Sequence, residues 1–165
     1  MSRFTGAGRP TIVSNERKLA QMDNLTKQHR SWLMSRVKNK NTLPELVVRR
    51  ILHRLGGRFR LHKANLPGRP DIVMPSRKLA IFVHGCFWHA HECRAGRRPS
   101  ANQEFWMEKS EANRRRDDRK VRELQALGWK TEVIWECETR DEQRLEAKLL
   151  QLLTDYPRAR ASSLA

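Results

Sequence analysis

The densest chemistry in the sequence lies between residues 83 and 93, where two cysteines and three histidines stand close together. Cys86 and Cys93, with the one remaining cysteine, Cys137, and a single histidine, make a Cys3His set, which tetrahedral structural zinc favours. Spacing alone leaves open whether His89 or His91 completes the set. The alternative is that the cysteines are ordinary buried side chains and the histidines lie on the surface. Because all three cysteines fall in workable positions, we favour zinc.

A carboxylate follows a rigid turn just upstream. The stretch Leu66-Pro67-Gly68-Arg69-Pro70-Asp71 leads into a short apolar run, and a carboxylate presented at the start of a strand can hold a divalent metal against a phosphate. Aspartate is also a common turn residue, which is the plainer interpretation. A hairpin between 71–74 and 79–83 would bring Asp71 close to Val83 and His84, because antiparallel pairing places the start of one strand beside the end of the next.

The elements that position these residues can be read from the patterning. Thr42, Pro44 and Glu45 have the spacing of a helix start with a capping box. Predicted helices cover 27–38, 42–55, 105–127 and 141–153, and predicted strands cover 58–62, 71–74, 79–83 and 130–135. This order predicts an α/β fold with a mixed central sheet flanked by helices.

Composition points to a polyanionic partner. The chain has 165 residues, with 34 Lys and Arg against 18 Asp and Glu, a formal net charge of +16. Such an excess favours nucleic acid, and the run Arg114-Arg115-Arg116 is interpreted either as phosphate-neutralising or as a solvated face. No apolar run is long enough for a transmembrane helix or a secretory signal, so we expect a soluble intracellular protein with no membrane partner. We expect a basic, disordered arm over 1–25, one domain over 26–155 and a flexible tail over 156–165.

Several motifs in one order resemble a known family, the very short patch repair (Vsr) DNA mismatch endonucleases. The resemblance covers roughly residues 28 to 153. It is carried by LPGRPD (66–71), IFVHGCFWHAHEC (81–93), EFW (104–106), LGW (127–129) and IWEC (134–137). It implies a restriction-endonuclease-like fold of the PD-(D/E)xK type. It also implies a magnesium-dependent endonuclease that nicks duplex DNA 5′ of the thymine in a T:G mismatch left by deamination of 5-methylcytosine.

The same resemblance assigns roles to the catalytic candidates. Asp71 would hold Mg²⁺ with the main-chain carbonyl of Val83, His89 would be the general base, and His84 a second imidazole in the pocket. Glu45 would reach the site from its helix, although its capping position offers a purely structural alternative. Asp117 would assist from the long helix; by sequence alone it belongs to a solvated charged face.

The resemblance also assigns the structural metal and the DNA contacts. Cys86, His91, Cys93 and Cys137 would hold structural Zn²⁺, which resolves the choice between His89 and His91. Phe87, Trp88 and Trp106 would wedge into the DNA at the mismatch, with Met34 approaching from the minor groove. Trp106 could equally pack a helix against the sheet.

Departures from the family pattern are modest. Val83 stands where relatives carry threonine, Ala90 and Glu92 interrupt a run of histidines, and the (D/E)xK half of the nuclease motif is absent. Two rival hypotheses are a zinc module that only binds DNA and a restriction or phage-defence nuclease of the same fold. For the mismatch endonuclease we expect a monomer in the bacterial cytoplasm, associated with the nucleoid in use. Mismatch-repair proteins and a repair polymerase are its possible protein partners.

Overall fold

The computed structural model describes residues 28–29, 32, 35–36, 40–98 and 102–159. Residues 28, 29, 32 and 35 are helical and belong to a unit separate from the one that holds 40–98 and 102–159. Within the first unit, the Arg36 guanidinium lies 4.0 Å from the centre of the Trp32 ring. Met34 and the predicted arm over 1–25 lie outside the described residues, so the DNA contact of Met34 stays a prediction.

The second unit is built on a mixed sheet of four strands in the order β1-β2-β3-β4. The strands are β1 Arg60–Leu61, β2 Ile72–Met74, β3 Leu79–His84 and β4 Lys130–Trp135. The pairs β1–β2 and β2–β3 are antiparallel, whereas β3–β4 is parallel. The predicted hairpin and mixed sheet are confirmed. The first strand is shorter than the predicted 58–62, because His62 has a φ of 45° and leaves the extended region.

Within 40–98 and 102–159, three helices flank the sheet: α1 Leu43–Arg54, α2 Gln103–Ala126 and α3 Glu142–Asp155. The backbone N–H of Thr42 donates to Glu45 Oε1 at 3.3 Å, which satisfies a donor at the helix start as the capping-box spacing predicts. α1 and α3 lie side by side, and two exposed ion pairs, Arg50–Glu142 and Arg54–Glu146, join them at 2.5 Å each.

Alternating side chains of the strands separate two cores, one on each face of the sheet. The first core contains the inward faces of α1 and α3 packed on Ile72, Met74, Leu79, Ile81 and Ile134. The second contains side chains from the intervening strand positions together with α2 and its flanks: Leu66, Val73, Ala80, Phe82, Leu124 and Trp129. Among the described residues of this unit, the fold is therefore a three-layer α/β arrangement with α1 and α3 on one face and α2 on the other.

The residues that follow α3 are bonded to the body of the second unit. The Ala159 N–H donates to the Ser76 carbonyl at 2.7 Å, and Arg158 donates to the Gly56 carbonyl at 2.9 Å. The first four residues of the predicted 156–165 tail therefore lie against the domain. Within the described part of the chain, no helix combines the length and apolar composition that a membrane span requires.

Candidate functional site

The β2–β3 hairpin brings Asp71 to Val83. Asp71 precedes β2, and its Oδ2 accepts a hydrogen bond from the Val83 N–H at 2.8 Å. This confirms the proximity that the hairpin predicted. Burial raises the pKa of Asp71, and the negative charge of Glu45 raises it further, although the Val83 N–H, His62 and Arg49 oppose the shift. A partly buried carboxylate that is poorly compensated in this way is suited to bind a cation.

Glu45 lies beside Asp71 as well as at the start of α1. Its side chain is buried, accepts from Thr42 Oγ1 at 2.9 Å and pairs with Arg49. The structural and active-site interpretations of Glu45 are thus compatible, since one carboxylate caps the helix and lies next to Asp71.

His62 lies between Glu45 and Asp71. The sequence did not indicate it as a site residue. Its Nε2 lies 3.7 Å from Glu45 Oε2 and its Nδ1 lies 3.9 Å from Asp71 Oδ1. The ligand-type atoms of these three residues all lie within 4.8 Å of one another. No motif in the sequence marks His62, because only the turn after β1 brings it to the carboxylates.

Two stacked histidines and a carboxylate form a second group of polar side chains. The rings of His84 and His89 are nearly parallel, 8° apart, with their centres separated by 4.0 Å. His89 Nδ1 lies 2.7 Å from Asp117 Oδ2, so Asp117 faces the site from α2. Burial and the neighbouring His89 lower the pKa of His84 to about 4, so His84 is uncharged at neutral pH. Burial alone would raise the pKa of Asp117, but His89, His84 and Lys120 together hold it below its ordinary value.

Asp71 and the His84–His89–Asp117 group share one open cleft of about 310 Å³. The cations Lys40, Arg69 and Lys120 also line it. A cleft that combines carboxylates, imidazoles and cations can bind a divalent metal and a phosphate and can remove a proton from water.

The three cysteines gather around His91. The ligand atoms of Cys86, His91, Cys93 and Cys137 all lie within 4.8 Å of one another, and Cys137 Sγ is 3.6 Å from His91 Nδ1. Burial raises the pKa of the Cys86 thiol, whereas hydrogen bonds from His91 and Cys86 lower that of Cys93 to about 7 against its own burial. The donor set fits tetrahedral Zn²⁺. The geometry places His91 among the thiols and His89 with Asp117, which decides a choice that spacing left open.

Aromatic side chains cluster beside this loop. The ring centres of Phe87 and Trp106 are 5.0 Å apart, and those of Phe87 and Trp88 are 5.3 Å apart. Phe87 and Trp88 are half-buried, while Trp106 is only 6% exposed. Phe87 and Trp88 therefore offer a partly accessible aromatic surface, and Trp106 supports it from behind.

Side chains of α2 hold the backbone of the same loop. Asn113 Nδ2 donates to the Trp88 carbonyl at 2.8 Å, and Arg114 donates to the carbonyls of His89 at 3.2 Å and Ala90 at 2.7 Å. Within the basic run, Arg114 thus holds the backbone of the loop, whereas the guanidinium of Arg115 lies 3.7 Å from the Glu111 carboxylate. Neighbouring members of the run therefore make different contacts.

The chain is similar to known proteins over most of its length. The sequence model of the family described as "DNA mismatch endonuclease Vsr" matches residues 22–95. The chain is 53% identical over 131 residues to the Type II nicking enzyme V.XorIIP of Xanthomonas oryzae pv. oryzae, covering 79% of this chain and 96% of that protein. It is 40% identical to the DNA mismatch endonuclease Vsr of Escherichia coli, covering 75% of this chain and 80% of that one. The fold is also similar to a solved structure, the homing endonuclease I-Bth0305I catalytic domain, with a TM-score of 0.49 and 22% identity over 70% of this chain and 98% of that one.

Proposed function

The chain belongs to the Vsr family of DNA mismatch endonucleases, and on that premise we propose that it nicks duplex DNA 5′ of the thymine in a T:G mismatch. The observation that carries the proposal is the cleft that joins Asp71 to the His84–His89–Asp117 group. The half-buried aromatic pair Phe87 and Trp88 lies within the same β3-to-α2 loop as His89.

His89 is positioned to act as the general base. Its Nδ1 faces Asp117 at 2.7 Å, so a proton held on Nδ1 leaves Nε2 unprotonated and able to accept a proton from water. The stacked His84 ring restricts the orientation of His89 and, being uncharged, does not compete electrostatically for that proton. A base in this arrangement contributes about 10²- to 10⁴-fold to a hydrolytic rate.

Asp71, together with the Val83 carbonyl, would hold the catalytic Mg²⁺. The partly buried carboxylate with its raised pKa fits such an ion, because a divalent charge compensates the loss of solvation. When bound there, magnesium supplies Lewis-acid stabilisation of charge on the phosphate and leaving oxygen. Asp71 also keeps its hydrogen bond with the Val83 amide, which orients the carboxylate toward the cleft.

Zn²⁺ would be held by Cys86, His91, Cys93 and Cys137 as a structural ion. These residues come from the loop after β3 and from the segment just after β4. A closed site of this kind contributes its binding energy to folding and fixes the loop that carries His89.

Mismatch selection would depend on the aromatic pair. An aromatic side chain that enters a base step must unstack it, at a cost of a few kcal/mol, and a mismatched step is already weak. Phe87 and Trp88 are the accessible candidates, and the net charge of +16 supplies attraction that is independent of sequence.

The experiment is a nicking assay on strand-labelled duplexes that differ only at one pair, T:G, T:A or C:G, each with magnesium or with EDTA. We expect a single nick 5′ of the thymine in the T:G duplex with magnesium alone. Equal nicking of the matched duplexes would overturn the mismatch proposal in favour of a nuclease with another target. Binding of all duplexes without any nick would favour a non-catalytic DNA-binding module.

A further inference from the structure

Lys120 lines the cleft and pairs with Asp117. Its Nζ lies 3.3 Å from Asp117 Oδ1, on the oxygen opposite the one that faces His89. We propose that Lys120 is a further catalytic residue of this site, whose ammonium contacts a non-bridging oxygen of the phosphate that is cut. The inference rests on the proposed function, because it needs a phosphodiester in the cleft.

Burial distinguishes Lys120 from the other cations that line the cleft. Lys40 and Arg69 are exposed, whereas the Lys120 side chain retains 31% of its accessibility. An ion pair with a phosphate is stronger where water is partly excluded than on an open surface. Lys120 is therefore the lining cation best placed to stabilise charge that develops on the phosphate.

The stem of Lys120 is held by the turn that precedes Asp71. Gly68 has a φ of 72°, and a Cβ added there would lie 2.7 Å from Lys120 Cδ and 3.0 Å from Lys120 Cγ. The lack of a side chain at Gly68 thus admits the lysine stem against the turn. This contact holds the lysine stem beside the turn that leads into Asp71, while its ammonium reaches Asp117.

The negative charges in the cleft also favour a cation at the phosphate. Asp71 and Asp117 both repel a phosphate, and Asp117 is flanked by His89 and Lys120. An ammonium carries three N–H donors, so the contact with Asp117 leaves donors for a phosphate oxygen. Lys120 brings a lysine ammonium to this cleft from α2.

The test compares Lys120→Met with Arg119→Met, which removes an equal charge from the neighbouring exposed position. The first measurement is the single-turnover nicking rate at saturating protein. We expect Lys120→Met to be slower than wild type by roughly 10²-fold, the size of effect seen when one preorganised donor is removed, and Arg119→Met to stay within about 2-fold. Lys120→Arg should recover part of the rate. A Lys120→Met rate equal to that of Arg119→Met would overturn the proposal.

The second measurement separates phosphate contact from mere support of Asp117. Binding is measured in EDTA on a T:G duplex and on duplexes with a neutral methylphosphonate scanned across the linkages around the mismatch. At one linkage we expect neutralisation to weaken wild type about 10-fold while Lys120→Met loses little more. Equal penalties for both proteins at every linkage would overturn the contact, even if nicking is slow. This scan needs no nicking. A wild type that fails to cut T:G DNA would therefore reject the proposed function, while the scan would still test the phosphate contact of Lys120.

Discussion

His89 Nδ1 and Asp117 Oδ2 lie 2.7 Å apart, although 28 positions separate them in the chain and different elements carry them. His89 belongs to the loop after β3, whereas Asp117 lies in the middle of the charged helix α2. A carboxylate in this position selects the ring tautomer that leaves Nε2 free and stabilises the imidazolium once the proton has moved.

Replacing Asp117 by Asn should slow nicking by about 10²- to 10⁴-fold, since the amide no longer enforces the tautomer or stabilises the imidazolium. Asp118→Asn, at the exposed neighbour, should keep the native rate. Single-turnover nicking of T:G duplex measures both variants. An Asp117→Asn rate within a few-fold of native would remove Asp117 from the mechanism.

Replacing Asp71 by Asn should abolish nicking and keep mismatch binding. It should also stabilise the fold when no magnesium is added, because the folded state holds the pKa of Asp71 above its ordinary value of 3.8. The folded state then binds the proton more tightly than the unfolded chain, so wild-type stability falls as pH rises from that value through the raised pKa. Thermal melting across acid pH should show this fall in wild type and a smaller one in Asp71→Asn. A variant less stable than wild type at neutral pH would contradict the burial argument.

His91→Gln and His89→Gln form a matched pair for the zinc site. The first should lose stoichiometric zinc and melt roughly 10 °C or more below wild type, because metal binding is also folding energy. The second should keep its zinc and its melting temperature but not its nicking activity. Elemental analysis and calorimetry measure the two properties, and zinc loss confined to His89→Gln would reverse the assignment made from geometry.

Trp88→Ala should weaken binding to T:G duplex about 10-fold, since stacking of one base on an aromatic is worth ~1–3 kcal/mol, and should weaken matched binding far less. Its salt dependence should stay native, because an indole neutralises no phosphate. Fluorescence anisotropy on both duplexes in EDTA, over a salt series, measures each effect. Equal losses on the two duplexes would assign Trp88 to packing alone.

Arg114→Met and Arg115→Met should differ, although the residues are neighbours. Arg114→Met should slow nicking by roughly 10- to 100-fold, since it frees the loop carbonyls beside His89 and small misplacements of a reacting group are costly. Arg115→Met should keep the nicking rate at saturation and weaken both duplexes alike, with a salt slope lower by up to about 0.9. Identical behaviour of the two variants would show that the hydrogen bonds from Arg114 to the loop carbonyls have no effect on catalysis.

Local patterns in the sequence were sufficient to predict many of the helices and strands that form the scaffold. Thr42, Pro44 and Glu45 marked the start of α1, because capping depends on residues only a few positions apart. The four-residue turn before Leu79 indicated the hairpin, and antiparallel pairing then required Asp71 to approach Val83. The family motifs also lie in short stretches, so the resemblance could be recognised without knowledge of the fold.

The sequence by itself therefore determined the mixed sheet, the hairpin at Asp71 and the Cys3His composition of the second cluster. Spacing alone left His89 and His91 equivalent, and the family resemblance assigned His91 to the thiols. Only the tertiary structure decided that His89 faces Asp117 at hydrogen-bond distance and that His62 and Lys120 line the cleft. The physical reason is that helical and strand periodicities specify which face a residue occupies, but not which distant element packs against that face. α2 packs on one face of the sheet, and this packing directs polar side chains of the helix toward the loop after β3 and the cleft: Asn113, Arg114, Asp117 and Lys120.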